Sequence, residues 1–332
     1  MGAAEGDWGK VQLHVVTGKG GAGKTTVAAA LALALAGRGK TVLLCEVEGR
    51  QGIAQLFDCP PLPYGEKRIA TGPDDGAEVY ALAIDAEEAL LEYLAMYYRL
   101  GRAGKALDRF GVIDFATTIA PGVRDVLLTG KVYEAAHRGR RGKNAREYDA
   151  VVLDAPPTGR IAQFLNVNSE LAGLAKVGPL RRQADNVMKL LRSPRTAVHL
   201  VTLLEDMPVQ ETVDAIRDLR ADRLPVGGVV VNLAREHTLD DQSRKLALAG
   251  ELPAKQIEQD LEDAGLDPTP ELVDALIEQG TQHAQRRALE DDQRSRIDDL
   301  GLSVYELPRL PDGVDLGAVY ELAALLAEQG LA

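Results

Sequence analysis

The sequence predicts an α/β fold with a doubly wound, mostly parallel sheet. Short apolar runs alternate with helical segments along the chain, an order that places helices on both faces of a parallel sheet. Several runs are continuously apolar, as is typical of strands buried on both faces. A glycine-rich turn joins the first of them to an alanine- and leucine-rich helix. At 332 residues either two domains or one elaborated domain would fit, and we expect one domain over residues 1–332.

The segments predicted to be strands are apolar runs bounded by polar residues, glycine or proline. In chain order they are Val11–Thr17, Thr41–Val47, Glu78–Ile84, Ala150–Asp154, Ala197–Leu204, Val226–Asn232 and Leu302–Leu307. Between the second and third of these, the proline-rich stretch Cys59–Pro63 is predicted to be a loop.

The connecting segments are predicted to be helical where apolar residues recur at a spacing of three or four. The principal ones are Thr25–Ala36, a short turn at Ile53–Phe57, Pro121–His137, Val209–Ala221 and Val314–Glu328. The last of these closes the predicted domain. Its apolar side consists of Leu316, Val319, Leu322, Ala323 and Leu326.

Three segments are too long to be simple connections between strands. Helical patterns occupy about 85–147 and 160–195. We expect these helices to pack together as an inserted subdomain over the face that holds the glycine-rich loop. A third segment, 234–300, is polar, acidic and mostly helical, with prolines that interrupt it.

The glycine-rich turn has the composition of a phosphate-binding loop. It consists of Gly18, Lys19, Gly20, Gly21, Ala22, Gly23, Lys24, Thr25 and Thr26, and it fits the pattern G-x-x-x-x-G-K-[ST]. Glycines let backbone N–H groups turn inward, and the start of the next helix adds partial positive charge. Lys24 would bridge the outer phosphates, and Thr25 would offer its hydroxyl to Mg²⁺. A plain glycine turn, the alternative, must explain four glycines, a lysine and a threonine at matching places.

Lys19 makes this interpretation narrower. The form G-K-G-G-x-G-K-[ST] resembles the deviant phosphate loop of ATPases that work as nucleotide-sandwich dimers, in which the extra lysine reaches the nucleotide of the other subunit. The alternative is that Lys19 is a solvated surface cation, since single loop lysines are common.

Asp154 lies at the end of a predicted strand, where a phosphate-binding site needs an acidic group for Mg²⁺. A carboxylate at the carboxyl end of a strand beside the phosphate loop can hold Mg²⁺ through water. The stiff Pro156–Gly159 segment that follows could sense the terminal phosphate. Alternatively, Asp154 only closes its strand and caps the next turn, which aspartate commonly does.

The run Asp154–Gly159 resembles switch II of the arsenical pump-driving and guided-entry tail-anchored-protein targeting ATPases. With the glycine-rich loop, it gives two motifs of that family in the right order, and the resemblance extends over nearly the whole chain, as far as Leu307 and Pro308. It identifies the chain as a bacterial, anion-transporting ATPase-like member with a P-loop nucleoside triphosphatase fold. It also implies that Asn232 bonds the adenine and that the loop after Leu307, including Pro308, covers the base.

By the same resemblance, ATP and Mg²⁺ are the expected cofactors and ATP hydrolysis is the expected activity. The family dimerises around ATP and drives membrane-linked transport or protein targeting. The partners it implies are a second copy or a related ATPase chain, together with a membrane protein client or membrane partner.

The sequence departs from the family pattern at three places. Glu48 followed by Gly49 replaces the Asp-Pro of switch I, whose carboxylate positions the attacking water, and Glu46 is a rival for that role. The zinc-binding C-x-x-C of the eukaryotic targeting members is absent. The cysteine cluster of the arsenite pumps is absent too, because Cys45 and Cys59 are the only cysteines and soft trivalent arsenic favours several thiolates.

Composition narrows the function classes further. The net charge is −12, which argues against a general nucleic-acid footprint. Neither a signal peptide nor a membrane-spanning run is evident, so we expect a cytoplasmic protein unless a partner recruits it peripherally to the membrane. Two other classes remain open: a nucleotide-binding regulatory subunit with weak hydrolysis, which Glu48 favours, and a partition or septum-positioning ATPase.

Overall fold

A computed structural model describes residues 8–98, 121–137, 146–174, 179–236 and 238–332. In these ranges, eight strands form one sheet in the order β3-β4-β2-β5-β1-β6-β7-β8. The strands are β1 (Leu13–Gly18), β2 (Val42–Glu46), β3 (Lys67–Thr71), β4 (Glu78–Ala83), β5 (Ala150–Asp154), β6 (Thr196–Thr202), β7 (Val226–Ala234) and β8 (Val304–Pro308). All neighbouring pairs are parallel except β3 and β4. The predicted doubly wound, mostly parallel sheet is confirmed.

Helices cover both faces of this sheet. In chain order the described ones are α1 (Lys24–Gly37), α2 (Gly52–Leu56), α3 (Ala86–Tyr98), α4 (Pro121–His137), α5 (Thr158–Leu174), α6 (Pro179–Leu191), α7 (Asp206–Ala221), α8 (Asp241–Ala249), α9 (Ala254–Asp263), α10 (Pro270–Asp298) and α11 (Leu316–Glu328). The two cores that result lie on opposite faces of the sheet.

Helix α1 is buried nearly all round because it lies between the sheet and α11. This explains why its sequence is apolar without a polar face. Helix α11 turns Val319, Leu322, Ala323 and Leu326 into the same core. The prediction for Leu316 is wrong, since it is 36% exposed at the first turn, where the Asp315 side chain caps the helix by accepting from the Ala318 N–H at 2.8 Å.

The sequence prediction missed β3. This strand is an antiparallel edge strand whose residues are only partly buried, so it lacks the apolar run that marks the central strands. It joins β4 through a tight connection in which Asp74 and Asp75 take left-handed backbone conformations, with φ of 54° and 55°. The Pro-Asp-Asp-Gly sequence at 73–76 was the available signal for this hairpin.

Helices α3 to α6 occupy the described parts of the segments predicted to be inserted subdomains. They pack on one another and also share a core with the sheet, through side chains that include Leu128, Val132, Phe164 and Val187. The described helices are therefore a layer on the sheet. The residues at 99–120 and 138–145, which belong to the segment predicted to be helical, lie outside the described residues.

The acidic segment 234–300 forms α8, α9 and the long helix α10. Helix α10 begins with Pro270 at its first position, and the Thr269 side chain caps it by accepting from the Leu272 N–H. Its buried Arg287 contacts Glu290 at 2.8 Å. The prolines that the sequence analysis took as interruptions therefore separate or begin helices.

A pair of fully buried histidines connects β1 to β6. His14 Nδ1 and His199 Nε2 are 3.1 Å apart, and the Gly228 N–H donates to His199 Nδ1 at 3.2 Å. Burial lowers the pKa of both imidazoles, that of His199 to about 4. The native state therefore holds both rings neutral, whereas the unfolded chain takes up protons below about pH 6.5.

We therefore expect the free energy of unfolding to fall as the pH drops from 7 towards 4. His199→Asn keeps an acceptor for Gly228 but removes one titrating group, so its dependence on pH should be shallower by up to about 1.4 kcal/mol per pH unit. Urea unfolding at several pH values measures this slope, with His283→Asn on α10 as the control. Equal slopes for His199→Asn and wild type would contradict this account of the buried pair.

Candidate functional site

The candidate site lies at the carboxyl edge of the sheet, where β2, β5 and β1 are neighbours. In the register of these strands, Asp154 at the end of β5 is opposite Glu46 on one side and Val16 on the other. Carboxyl ends of adjacent parallel strands are the usual place for ligands in open α/β sheets. The topology thus brings together the two segments that the sequence analysis singled out.

The structure requires glycine at several positions of the loop, for a different reason at each. Gly18 lies so close to the backbone of Val201 on β6 that a side chain there would collide with its carbonyl oxygen. Gly21 and Gly23 have φ of 86° and 87°, a left-handed conformation that glycine adopts without strain. A side chain at Gly23 would also collide with the amide of Asn232. The loop is therefore built for close approach of the backbone, with Gly20 at its exposed tip.

Asn232 contacts this loop directly. It is buried on β7, and its side-chain Nδ2 donates to the Ala22 carbonyl at 2.9 Å. The resemblance implied a bond from Asn232 to the adenine, with a residue of the strand-end turn as the alternative, and nothing in the sequence indicated this contact with the loop. Nearby, the backbone N–H of Arg309 donates to the Ala234 carbonyl at 2.8 Å, which ties the segment after Pro308 to β7.

Helix α1 begins at Lys24, one residue before the predicted start. Lys24 is only 8% exposed, and Thr25 and Thr26 are half-buried in the same turn. Because Gly23 precedes the helix, no side chain caps it, and the free N–H groups of the first turn are a site for an anion.

The side chains of Thr25 and Asp154, both predicted to serve Mg²⁺, are in direct contact. The Thr25 hydroxyl donates to Asp154 Oδ2 at 2.6 Å. Burial is the largest cause that raises the pKa of Asp154, to about 6; the neighbouring Glu46 and Glu48 carboxylates raise it further, while Thr25 and Lys24 lower it. Burial therefore makes the ionised form of Asp154 costly.

Two buried carboxylate oxygens at this edge have no hydrogen-bond partner among the described residues. They are Oδ1 of Asp154 and Oε1 of Glu46, whose other oxygen accepts from the Ile53 N–H at 3.3 Å. Buried, unpaired carboxylate oxygens are costly unless a cation satisfies them. The described residues include no cluster of three His, Cys, Asp or Glu side chains that could hold a metal alone. A cation here would thus share its coordination with water or ligand oxygens, which suits Mg²⁺.

Glu48 lies farther out than Glu46. Its side chain is 24% exposed, and its nearest described cation, the Nε of Arg50, is 3.9 Å away. Glu46 is 2% exposed. The segment after Glu48 turns sharply, with Gly49 and Gln51 both at positive φ, and it places Gly52 against the methyl side of Thr25. The two glutamates thus approach the site at different depths.

Glu211 is a residue of this edge that the sequence analysis did not find. Its Oε1 is 3.2 Å from Lys19 Nζ, and its Oε2 accepts from the Thr158 hydroxyl at 3.1 Å. Thr158 is the first residue of α5, directly after Pro157. Nothing local in the sequence marks a glutamate on α7 as a neighbour of the glycine loop.

A parallel sheet with a lysine- and threonine-bearing glycine loop after β1 and a carboxylate after β5 defines the class of P-loop nucleoside triphosphatases. Comparison with known sequences then gives the family. The sequence model of the anion-transporting ATPases matches residues 11–194, and the chain belongs to this family. It is therefore an ATP-binding protein and an ATP hydrolase, as the sequence predicted.

Relatives that match most of this chain are also named as ATPases. The chain is 53% identical over 321 residues to the ATPase BagA of Mycobacterium tuberculosis, covering 97% of this chain and 94% of that protein. It is 27% identical to the arsenical pump-driving ATPase of Acidiphilium multivorum, over 95% of this chain and 54% of the relative. It is 24% identical to the ATPase GET3 of Kluyveromyces lactis, over 74% of this chain and 78% of the relative.

Among the described residues, helices of sufficient length and apolar character to cross a bilayer are absent.

Proposed function

We propose that this protein binds ATP with Mg²⁺, closes around it against a second subunit, and couples hydrolysis to a membrane-linked transport or protein-targeting process. The observation that carries the proposal is the Thr25–Asp154 hydrogen bond of 2.6 Å beside unpaired carboxylate oxygens. A hydroxyl at the start of the P-loop helix and a carboxylate at the end of a neighbouring strand are the protein groups that hold Mg²⁺ in such sites.

Each residue of the loop has a role in this proposal. The backbone from Gly18 to Gly23 and the start of α1 would cradle the phosphates, with Lys24 on the outer ones. Thr25 and Asp154 would hold Mg²⁺, which supplies charge neutralisation at the phosphates when bound. The unpaired oxygen of Glu46 would orient a water of its hydration shell. Thr26 would complete the first helical turn.

The position of the two glutamates supports Glu48 as the residue that orients the attacking water. Its carboxylate is partly exposed, so it can meet a water that enters with the nucleotide. Glu46 is nearly inaccessible and one of its oxygens is engaged by the Ile53 N–H. Because glutamate is one methylene longer than the aspartate of the family pattern, Glu48 would reach the attacking water from a more distant backbone.

On the other side of the loop, Asn232 and the segment after Leu307 would enclose the base. The Asn232 side chain uses its Nδ2 on the Ala22 carbonyl, which leaves its amide oxygen to accept from the adenine amino group. The segment that begins at Pro308 would cover the ring from the side of β8.

The two carboxylates should respond differently to loss of charge. Asp154→Asn should raise the Mg²⁺ concentration for half-maximal activity about ten- to a hundredfold and lower turnover with it, because a metal-binding group is changed. Glu48→Gln should leave ATP affinity within about threefold and lower turnover about a hundredfold, the scale of a general base. Phosphate release across a Mg²⁺ titration measures both.

The matched control is Glu205→Gln, an equal change of charge at an exposed position before α7, which should leave both quantities unchanged. If Glu48→Gln retains full turnover, Glu46 or a water held by the backbone performs this step. If Asp154→Asn retains the wild-type dependence on Mg²⁺, the magnesium site proposed here is wrong.

The geometry gives little support to a soft-metalloid effector. Cys45 belongs to the core on one face of the sheet, and Cys59 packs against the core on the other, so the two thiols cannot share one ion. We therefore propose a different cargo or client from that of a thiolate-bearing pump. The second candidate is a regulatory subunit with slow hydrolysis, which the glutamate at position 48 favours. Turnover measured with and without a related partner chain separates the two.

A further inference from the structure

Lys19 is paired within its own subunit, because Glu211 of α7 binds it. The Lys19 Nζ to Glu211 Oε1 distance is 3.2 Å, and the other Glu211 oxygen accepts from the Thr158 hydroxyl at 3.1 Å. Lys19 directly follows β1, Thr158 begins the helix after β5, and Glu211 lies on the helix after β6. One carboxylate thus bridges the connections that follow three adjacent strands of the sheet.

We propose that Glu211 is a counterion in cis that holds Lys19 in the open subunit and must release it before the subunit closes onto a partner's nucleotide. This inference rests on the proposed function, since it assigns a competitor to the lysine that acts across the dimer. Glu211 is thereby a positioning residue and touches no reacting atom.

The ion pair has the strength that a releasable contact requires. The Lys19 and Glu211 side chains remain 32% and 36% exposed, and ion pairs at such exposure contribute little to stability because solvent screens them. A triphosphate carries several negative charges and, in a closed site without bulk water, attracts the ammonium more strongly than one carboxylate does. Nucleotide on a second subunit would therefore displace Glu211.

The carboxylate is held at a fixed place by its helix. Next to it on α7, Asp206 and Gln210 contact the guanidinium of Arg296 at 3.0 Å and 2.6 Å. Arg296 belongs to α10, so the acidic C-terminal segment anchors the first turns of α7. When Lys19 leaves, Glu211 stays in position to take it back after the nucleotide is lost.

Because Glu211 also contacts Thr158, the release of Lys19 from Glu211 has a second consequence. Thr158 is buried and lies within the Pro156–Gly159 segment, which follows Asp154. While Glu211 binds both partners, the glycine loop and this segment are linked through it. Exchange of Lys19 for another partner removes that link, so the lysine's movement and the conformation of the second motif are coupled through one side chain.

Glu211→Gln tests the proposal, because glutamine keeps the shape and an acceptor for Thr158 but loses the charge. Association is driven with Mg²⁺ and adenylyl imidodiphosphate, a non-hydrolysable ATP analogue. We expect Glu211→Gln to associate at a protein concentration about two- to fivefold lower than wild type for each Lys19–Glu211 ion pair that the substitution removes. Sedimentation velocity over a protein dilution series measures this. Glu205→Gln, six residues earlier and just before α7, makes the same change of charge and should behave as wild type.

The gain must depend on Lys19. Lys19→Ala alone should not associate with nucleotide, and the Lys19→Ala, Glu211→Gln double variant should not associate either, whereas a general effect of charge on α7 would restore part of the association in the double variant. A gain of association also separates the proposal from a structural role, because loss of a structural contact would leave association unchanged or weaken it.

The outcomes distinguish this inference from the function on which it rests. If wild type associates with nucleotide and Glu211→Gln does so equally or more weakly, the inference is overturned and the dimer stands. If neither protein associates, the proposed dimerisation fails and the role of Glu211 fails with it.

Discussion

Lys24→Ala is expected to lower the affinity for ATP at least about tenfold. The lysine is the first residue of α1 and is nearly buried at the glycine loop, where its ammonium would make charge-assisted hydrogen bonds to the outer phosphates. Such bonds contribute about 1.5–3 kcal/mol each, and about 1.4 kcal/mol is a tenfold change in affinity. Isothermal titration calorimetry with ATP and Mg²⁺ measures the loss directly.

Lys255→Ala is the matched control, since it removes the same charge from an exposed position on α9. Thermal unfolding of both variants without nucleotide shows whether the buried position at residue 24 tolerates alanine. A folded Lys24→Ala protein that binds ATP as wild type does would exclude the glycine loop as the phosphate site.

Lys19→Ala has the second large expected effect. ATP affinity should stay within a few-fold, because Lys24 and the loop backbone still hold the phosphates of the same subunit. Nucleotide-driven association should be lost, and turnover should fall at least about tenfold, as for a cation supplied in trans to phosphoryl transfer. Static light scattering with adenylyl imidodiphosphate and Mg²⁺ reports the association, and phosphate release reports the turnover.

Lys19 and Lys24 thus provide two matched substitutions in one loop, and each is expected to impair a different step. Lys24→Ala should impair binding first, and Lys19→Ala should impair closure first. If Lys19→Ala retains wild-type turnover, Lys19 is an ordinary surface cation whose partner is Glu211 alone.

Most of the sheet could be predicted from the sequence because its strands are short, continuous apolar runs. The run at 41–47, for example, becomes β2 with every strand residue buried. Strand β3 could not be predicted in the same way, because an edge strand with one neighbour has little apolar surface to bury. Its position is determined by pairing with β4 across a tight turn.

The Thr25–Asp154 contact could be predicted because both residues occupy positions that topology fixes. One follows β1, the other ends β5, and the two strands are neighbours. Glu211 and the loop contact of Asn232 could not be predicted, because each depends on the side-chain direction of a residue on a distant element. Glu46 could be predicted in part. The strand pattern places it at the carboxyl edge of the sheet, but only the structure shows that one of its oxygens is buried and lacks a partner among the described residues.

The most direct test of the account is the rate of phosphate release per subunit, measured with saturating ATP and Mg²⁺ over a wide range of protein concentration. We predict that the rate rises with the concentration of the chain, or of a related ATPase chain added to it, and that it reaches a plateau when all subunits are closed on a partner. A full rate per subunit that stays constant down to concentrations at which the protein is monomeric would contradict the account.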